Sequence, residues 1–296
     1  MNRKQIRCFW LAVALLNATV LSAQLQGPVP KLPEPLFDTP VYDQSFPVFG
    51  GYMITPGPLY YNGTSFSVKS DWKYNSYGSI YGRKAGSTYF SYMELGQYFD
   101  SRKEAYTFED KSIDNYGGRV AYGPYRDWRL PTIQEWRVLM GTGREGAVFN
   151  GIHHVCHVTV ILTGEQYAGM KNPLGLLLFP DGLVIDDTGS RLVNKNPVTY
   201  QMTQRQLERY LDNGCVFLPA AGQFFVDRLY WFFGGVNGLY QTSQGYTEQM
   251  AAALQFGSHE PKVVGALKVY HFFMTRLVRK VTPGEITSSA PTPAGR

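Results

Sequence analysis

Three segments of the chain combine apolar residues at helical spacing with a helix-start signal, and each is predicted to be a helix. They run from Tyr89 to Phe99, from Thr132 to Gly141 and from Thr203 to Leu211. Each contains a hydroxyl residue followed three positions later by Glu or Gln, a pattern in which the two residues cap each other's backbone amides. The pairs are Ser91 with Glu94, Thr132 with Glu135, and Thr203 with Gln206. In the second segment Trp136, Leu139 and Met140 share one face, which is therefore predicted to be buried.

Continuous apolar runs bounded by turn residues predict buried strands. Leu174 to Phe179 is such a run, and the Pro180-Asp181-Gly182 sequence after it is a strong turn signal. Cys215 to Leu218 and Phe272 to Val281 are further apolar strands, the second of which contains Arg276. Few helices, many short strands and much chain without a clear period favour the α+β fold class.

The two ends of the chain differ from this pattern, so that only residues 50–281 are predicted to be globular. Residues 1–23 have the features of a secretory signal peptide, because basic residues precede an apolar stretch and Ala23 offers a cleavage point. A retained anchor is the alternative, but the stretch is short for a membrane span. Residues 24–49 are rich in proline and predict an extended spacer, while residues 282–296 predict a disordered tail. The leader predicts export to the periplasm, the outer membrane surface or the medium.

Charge and cysteine content narrow the possible partners. The full chain has a net charge of +5, but the leader holds three of its 28 basic residues and no acidic one. The mature chain therefore has 25 basic against 23 acidic residues, a net charge of +2, which is not the footprint of a nucleic-acid-binding protein. Only Cys156 and Cys215 remain after cleavage. In an exported protein they could form a disulfide, or each could be a buried free thiol, and both alternatives are open.

Several motifs occur in an order that resembles a known family. They are Trp128-Arg129-Leu130-Pro131-Thr132, Leu176-Leu177-Leu178-Phe179-Pro180-Asp181-Gly182, Gly214-Cys215-Val216-Phe217-Leu218-Pro219-Ala220-Ala221-Gly222, Tyr240-Gln241-Thr242-Ser243 and Arg276-Leu277-Val278-Arg279. Over about residues 50–281 the chain is similar to the major paralogous domain family first named from Fibrobacter (FISUMP). That family is abundant in surface proteins of Bacteroidetes-type bacteria.

The resemblance implies a C-type-lectin-like fold related to the domain of formylglycine-generating enzymes. In that fold, small twisted antiparallel sheets are flanked by two or three helices, and long irregular loops carry ligand specificity. Family members are exported, often occur in cell-surface or fimbria-associated proteins, and are thought to bind rather than catalyse. The chain departs from the family where the usual Tyr-Trp-Ser-Ser segment is Tyr240-Gln241-Thr242-Ser243. Loss of that Trp puts a shared pocket at this position in doubt.

The densest group of metal-binding residue types is His153-His154-Val155-Cys156-His157. The flanking residues predict a strand, on which His153 and His157 would face one side while His154 and Cys156 face the other. That arrangement divides the ligands between two faces, and no CxxC or HxxxH motif supplies the rest. We therefore expect no metal here and no cofactor elsewhere.

The sequence contains few features that would indicate catalysis or calcium-dependent sugar binding. The Glu-Pro-Asn and Trp-Asn-Asp patterns of calcium-dependent lectins are absent, as is a Gly-x-Ser-x-Gly nucleophile elbow. The two cysteines are 59 residues apart and do not match the copper-binding pair of the formylglycine-generating oxidases. The sequence thus predicts a protein that is not an enzyme.

An aromatic and glycine-rich stretch from Phe224 to Thr247 is the predicted recognition region. Exposed rings on glycine-rich loops bind sugars or proteins through their apolar faces and polar edges. Within it, the predicted ligand-binding residues are Tyr230, Trp231, Tyr240 and Gln241, although most rings of such a stretch could simply fill the core. The resulting hypothesis is a non-catalytic surface or envelope protein that recognises a glycan or a cell-surface protein. The alternatives are an accessory or tip subunit of a surface fibre (fimbria) that contacts other fimbrial subunits and, third, a metal-dependent enzyme.

Overall fold

The structure is a computed structural model of the chain. It describes residues 47–74, 86–102, 106–107, 110, 112–115, 120–149, 153–167, 170–185, 199–225, 230–232, 234–257, 261–267 and 271–282. The predicted leader at residues 1–23, nearly all of the predicted spacer and the tail from residue 283 lie outside the described residues.

The described residues form three helices and 22 short strands. The helices are α1 (Tyr92–Phe99), α2 (Ile133–Leu139) and α3 (Gln204–Asp212). The strands are β1 (Tyr52–Ile54), β2 (Leu59–Tyr61), β3 (Phe66–Val68), β4 (Tyr89–Ser91), β5 (Val120–Tyr122), β6 (Tyr125–Trp128), β7 (Ala147–Phe149), β8 (His153–Val155), β9 (His157–Thr163), β10 (Gln166–Tyr167), β11 (Met170–Lys171), β12 (Leu174–Leu178), β13 (Val184–Ile185), β14 (Thr199–Thr203), β15 (Val216–Pro219), β16 (Gln223–Phe225), β17 (Tyr230–Phe232), β18 (Gly238–Gly245), β19 (Met250–Phe256), β20 (Lys262–Leu267), β21 (His271–Met274) and β22 (Val278–Lys280).

All three predicted helices are present, and all three begin with the predicted capping box. In each, the side-chain hydroxyl of the N-cap residue accepts a hydrogen bond from the backbone amide of the residue three positions later. The side chain of that later residue in turn accepts a hydrogen bond from the backbone amide of the N-cap residue. Such a reciprocal pair satisfies two amides that the helix leaves without a partner. The first helix begins later than predicted, at Tyr92, because Tyr89–Ser91 pair with β21 as a strand. In α2, Trp136 and Leu139 are fully buried, as predicted, and Met140 is half-buried.

A four-stranded sheet in the order β14-β9-β12-β15 occupies the middle of the larger core. Its strand β12 is buried along its whole length, which agrees with the continuous apolar run in the sequence. The Pro180-Asp181-Gly182 turn follows as predicted, and Gly182 has φ +76°, a backbone conformation that favours glycine.

A seven-stranded sheet forms the second large layer. Its strands follow the order β17-β16-β21-β18-β19-β20, and β4 pairs with β21. Strands β18 and β19 form a long antiparallel hairpin, and β20 continues the ladder in register from Met250 opposite Leu267 to Gln255 opposite Lys262. Helix α2 packs on β18 and β19, so it lies over the side of this sheet that ends at β20.

The segment from Phe272 to Val281 is two strands rather than the single one predicted. Strand β21 belongs to the seven-stranded sheet, whereas β22 pairs with β1 and brings the two ends of the described chain together. The break falls at Arg276, whose side chain is completely buried and donates hydrogen bonds to the carbonyls of Thr55 and Phe217 at 3.3 and 3.1 Å. A buried guanidinium needs such acceptors, and a regular strand would turn it away from them.

The architecture combines separate helices with mostly antiparallel small sheets, in agreement with the predicted α+β class. Three apolar clusters of described residues fill it: the largest lies against the two main sheets, the second surrounds α1, and a small third one consists of Leu239, Ala253, Ala266 and Phe273. None of the helices in the described residues has the length and hydropathy of a membrane span.

Candidate functional site

A cleft of about 360 Å³ lies between helix α2 and the hairpin of β19 and β20, and we call it the α2–β20 cleft. Its lining is Trp136, Arg137, Met140, Thr142, His157, Leu254, Pro261, Lys262 and Val263. Trp136 and Leu254 are buried and form the floor. Arg137, Thr142 and Lys262 are exposed and form the rim. The cleft thus has an apolar base and a polar margin, the usual arrangement of a ligand site.

The floor of the cleft is fixed by contacts of the Trp136 indole. Its Nε1–H donates to the backbone carbonyl of Gln241 at 3.2 Å, and its ring meets the Tyr240 ring edge-on at 6.1 Å between centroids. At the first residue of the helix, the backbone amide of Ile133 donates a hydrogen bond to Oε1 of Gln244 at 2.7 Å. Helix α2 is therefore tied to strand β18 at its start and through its central indole, so the floor is held in place before any ligand arrives.

The rim is positively charged. Arg137 and Lys262 are the charged residues among the described residues of the lining, and none of these described residues is a carboxylate. His157 adds no charge at neutral pH, because burial lowers its pKa to about 4; a hydrogen bond with the Met140 backbone opposes this shift, and the Arg144 charge adds to it. The cleft therefore favours an anionic group, which would lie near two exposed, solvated cations rather than in a dry ion pair.

One exposed aromatic ring continues the lining of the cleft along strand β20. Tyr246 is 61% exposed and begins the turn between β18 and β19, where its amide donates to the carbonyl of Met250 at 2.7 Å. Its ring lies over Gly265, since a Cβ there would come within 2.9 Å of the Tyr246 Cδ1. Side chains alternate along a strand, so Gly265 and the cleft residue Val263 share one face of β20. The Tyr246 ring therefore lies on the same face of β20 as the cleft, two residues further along the strand.

Two of the four predicted ligand-binding residues are in the core, which corrects the prediction. Tyr240 is fully buried, stacks on Phe256 with a centroid distance of 5.9 Å, and donates its hydroxyl to the carbonyl of Pro219 at 2.8 Å. Gln241 is also buried, and its Nε2 donates to the carbonyl of Phe90 at 2.8 Å. Neither side chain can reach a ligand in this fold. Their hydrogen-bonding groups connect strands instead.

The other two, Tyr230 and Trp231, lie in strand β17, opposite Phe225 and Phe224 respectively. Their side chains lie outside what the structure describes, so their part of the prediction stays a prediction. The predicted irregular loop from Phe224 to Thr247 is wrong in its described parts, because these contain strands β16, β17 and β18. Of its glycines, Gly238 serves packing, since a Cβ there would collide with the Phe256 ring.

The His153–His157 segment is not the single strand predicted. It divides into β8 and β9 with a bend at Cys156, which leaves His154 exposed and His157 in the cleft. The His153 side chain lies outside the described part. Among the described residues, no group of three or more His, Cys, Asp or Glu side chains is arranged to hold a metal ion.

Cys156 and Cys215 are free thiols, so of the two alternatives that the sequence left open the structure has the free thiols and not the disulfide. Cys156 is half-buried with its Sγ 3.8 Å from the carbonyl oxygen of Arg144, whereas Cys215 is buried. Burial raises the pKa of both thiols, and the nearby charge of Arg144 only partly opposes this. Both cysteines are therefore neutral thiols of low nucleophilicity at physiological pH.

The cleft residues come from segments that the sequence gives no reason to combine. Arg137, His157 and Lys262 belong to a helix, a central strand and an edge strand, and no common motif or spacing links them. Tyr246 had a weak signal, since it follows Gly245 in a polar, turn-rich segment.

Comparisons with known proteins give no relative for this chain. A scan against protein-family models, a search of curated proteins and a search of solved structures each find no match.

Proposed function

We propose that this chain is an exported, non-catalytic recognition protein of the bacterial envelope or surface, and that it binds its ligand in the α2–β20 cleft. One observation carries the proposal: an apolar floor and two exposed cations line the cleft, and the exposed Tyr246 ring lies over Gly265, on the same face of β20 as the cleft residue Val263. As in the hypothesis from the sequence, the ligand is a glycan or a cell-surface protein. The proposed binding site, however, is this surface and no longer includes Tyr240 and Gln241.

The chemistry of the surface defines what it would bind. A volume of about 360 Å³ is at the lower end of small-ligand sites, enough for one sugar ring or one or two side chains. Tyr246 offers a flat apolar face with a polar hydroxyl, which suits either kind of ligand. Arg137 and Lys262 select for negative charge, so the ligand is an acidic sugar or an acidic protein segment rather than a neutral one.

The finer fold assignment is also a proposal. We infer a C-type-lectin-like arrangement of the FISUMP kind from the ordered motifs of the sequence. The antiparallel sheets with few helices, and the helix that begins at the Thr132 end of the first motif, support it. In that assignment the α2–β20 cleft, rather than a loop after Gly222, provides the ligand specificity.

A binding comparison of matched variants tests the proposed function. The mature chain is applied to an array of neutral and acidic glycans and to immobilised acidic and basic peptides. We expect retention of acidic ligands that Arg137→Glu/Lys262→Glu abolishes and Tyr246→Ala weakens about tenfold or more. The control is Arg205→Glu/Lys280→Glu, which makes the same charge change at exposed residues outside the lining. If both double variants lose binding equally, the loss is caused by the change in net charge, and the ligand does not bind in the cleft.

A further inference from the structure

Strand β20 is the last strand of the seven-stranded sheet. One of its edges pairs with β19 over six residues without a register shift. No strand of the described part of the chain pairs with its other edge. Because a strand edge presents amides and carbonyls at alternate residues, about half of the backbone groups of β20 face outward from the sheet.

This edge has few of the features that keep sheet edges from pairing. Between Val263 and Leu267 it contains no charged residue, no proline and no bulge, and Lys262 at its start is the one charge of the strand. It is also rich in β-branched residues, with Val263 and Val264 adjacent. An uncharged and regular edge of about 20 Å is long enough for a partner strand of six residues.

The α2–β20 cleft lies beside this edge. Val263 belongs to both, and Gly265, which supports the Tyr246 ring, follows on the same face of the strand. A strand added to β20 would place every second side chain on that face. In the added strand, the side chain opposite Val263 would therefore enter the cleft between Arg137 and Lys262. The side chain opposite Gly265, two residues away, would meet the Tyr246 ring.

From this juxtaposition we propose that β20 binds an extended segment of an acidic partner protein, which adds to the sheet as a further strand. The proposal rests on the proposed function and names its ligand class. The backbone of β20 supplies affinity for any extended chain, and the cleft supplies selectivity. The preferred segment has an acidic residue opposite Val263, an apolar or aromatic residue opposite Gly265, and β-branched residues between them.

Charge complementarity argues for this occupant over a second copy of the chain. A second β20 would present its own Lys262 and an otherwise uncharged strand, so it offers no anion to the Arg137 and Lys262 rim. An acidic segment satisfies the edge and the rim together. A glycan would satisfy the rim and the ring but leave the outward amides of the strand to water.

The test uses the mature chain and a panel of blocked seven-residue peptides built on Thr-Val-Glu-Val-Phe-Val-Thr, with the Val positions varied. We expect binding that weakens about tenfold or more when Lys replaces Glu, and that returns for the Lys peptides with Arg137→Glu/Lys262→Glu. N-methylation of one alternating set of peptide amides should abolish binding while the other set tolerates it, since only one set faces the strand. Amide exchange within residues 262–267 should slow on binding.

Other outcomes overturn the proposal and identify what fails. If acidic glycans bind through the cleft and no peptide of the panel does, the proposed function stands and the strand addition is wrong. If both N-methylated sets bind equally well, the peptide is held by side chains alone. If sedimentation shows that the free chain dimerises and Val264→Lys disrupts the dimer, the occupant of the edge is a second copy. If no acidic ligand of any class depends on Arg137 and Lys262, the proposed function itself fails.

Discussion

The Arg129 guanidinium and the Glu135 carboxylate face each other in a two-point ion pair, with Nη1–Oε2 at 2.8 Å and Nη2–Oε1 at 2.5 Å. The same carboxylate accepts the Thr132 amide at 2.8 Å and closes the capping box of α2. The backbone of Arg129 pairs with Val278, so the pair links the start of α2 to the last strands of the chain. Burial alone would raise the pKa of Glu135, but hydrogen bonds from Arg129 and Thr132 together lower it below its ordinary value.

Loss of this carboxylate should destabilise the fold markedly. Glu135→Ala leaves the partly buried Arg129 without its anion and removes half of the capping box, for a cost of about 3 kcal/mol in the free energy of unfolding. Gln134→Ala, on the exposed neighbouring position of the same helix, should change it by less than about 0.5 kcal/mol. Urea unfolding followed by circular dichroism measures both values. Similar values for the two variants would mean that the pair has no special part in holding α2.

The helices could be predicted from the sequence because their start signals are local. A capping box depends on residues three apart, and no distant contact has to be known for it. The buried strand β12 was predicted for a similar reason, since a run of apolar residues closed by a turn has few other outcomes.

The proposed recognition site could not be predicted from the sequence, because burial depends on contacts distant in the chain. Tyr240 and Tyr246 stand six residues apart in the same glycine-rich segment, yet one is completely buried and the other mostly exposed. The difference arises because Tyr240 lies between Trp136 and Phe256, which approach it from a helix and a neighbouring strand. Gly238 in this stretch makes room for the Phe256 ring, whereas Gly234 and Gly235 form the turn before β18.

These two tyrosines should respond to substitution in opposite ways. Tyr246→Ala should leave the free energy of unfolding within about 1 kcal/mol and weaken ligand binding about tenfold. Tyr240→Ala should lower the free energy of unfolding by about 3 to 5 kcal/mol, because it empties a packed site and removes one of the two hydrogen bonds that the Pro219 carbonyl accepts. Calorimetric melting paired with a binding assay separates the two effects. Normal binding by Tyr246→Ala would exclude the ring from the recognition surface.

Arg276 should be a larger determinant of stability than any exposed arginine. Its guanidinium is completely buried and bridges the carbonyls of Thr55 and Phe217, which join the beginning, middle and end of the described chain. Arg276→Met keeps most of the volume but leaves two buried acceptors without donors, so we expect a loss of about 2 to 4 kcal/mol. The matched variant Arg205→Met, on the exposed surface of α3, should cost less than about 0.5 kcal/mol. Equal melting temperatures of the two variants would contradict the bridging role.

The two thiols should react at different rates in the folded protein and show no bridge. Without reductant, the unfolded mature chain should bind two equivalents of iodoacetamide, because neither cysteine is oxidised. In the native state the half-buried Cys156 should react slowly and Cys215 only on unfolding, since burial raises the pKa of both. Peptide mapping by mass spectrometry assigns the label. A mass two hydrogens lower in the unreduced chain, with no labelling after unfolding, would instead establish a disulfide.

Two histidines should make stability fall between about pH 6.5 and pH 4. Burial lowers the pKa of both His157 and His271 to about 4 in the folded chain, whereas their pKa in the unfolded chain is about 6.5. As the pH falls below 6.5 the unfolded chain takes up these protons first, so the free energy of unfolding decreases until about pH 4 and no further from this cause.

The shift corresponds to roughly 3 kcal/mol for each histidine. Carboxylates with a lowered pKa, such as that of Glu135, lose their contribution only at still lower pH, so the two windows separate. The double variant His157→Gln/His271→Gln should therefore flatten the dependence of urea midpoints on pH between 6.5 and 4, while the exposed-site control His154→Gln leaves it unchanged. A slope that survives in the double variant would mean that both imidazoles can take up a proton in the folded chain, and that the wall of the α2–β20 cleft admits charge at His157.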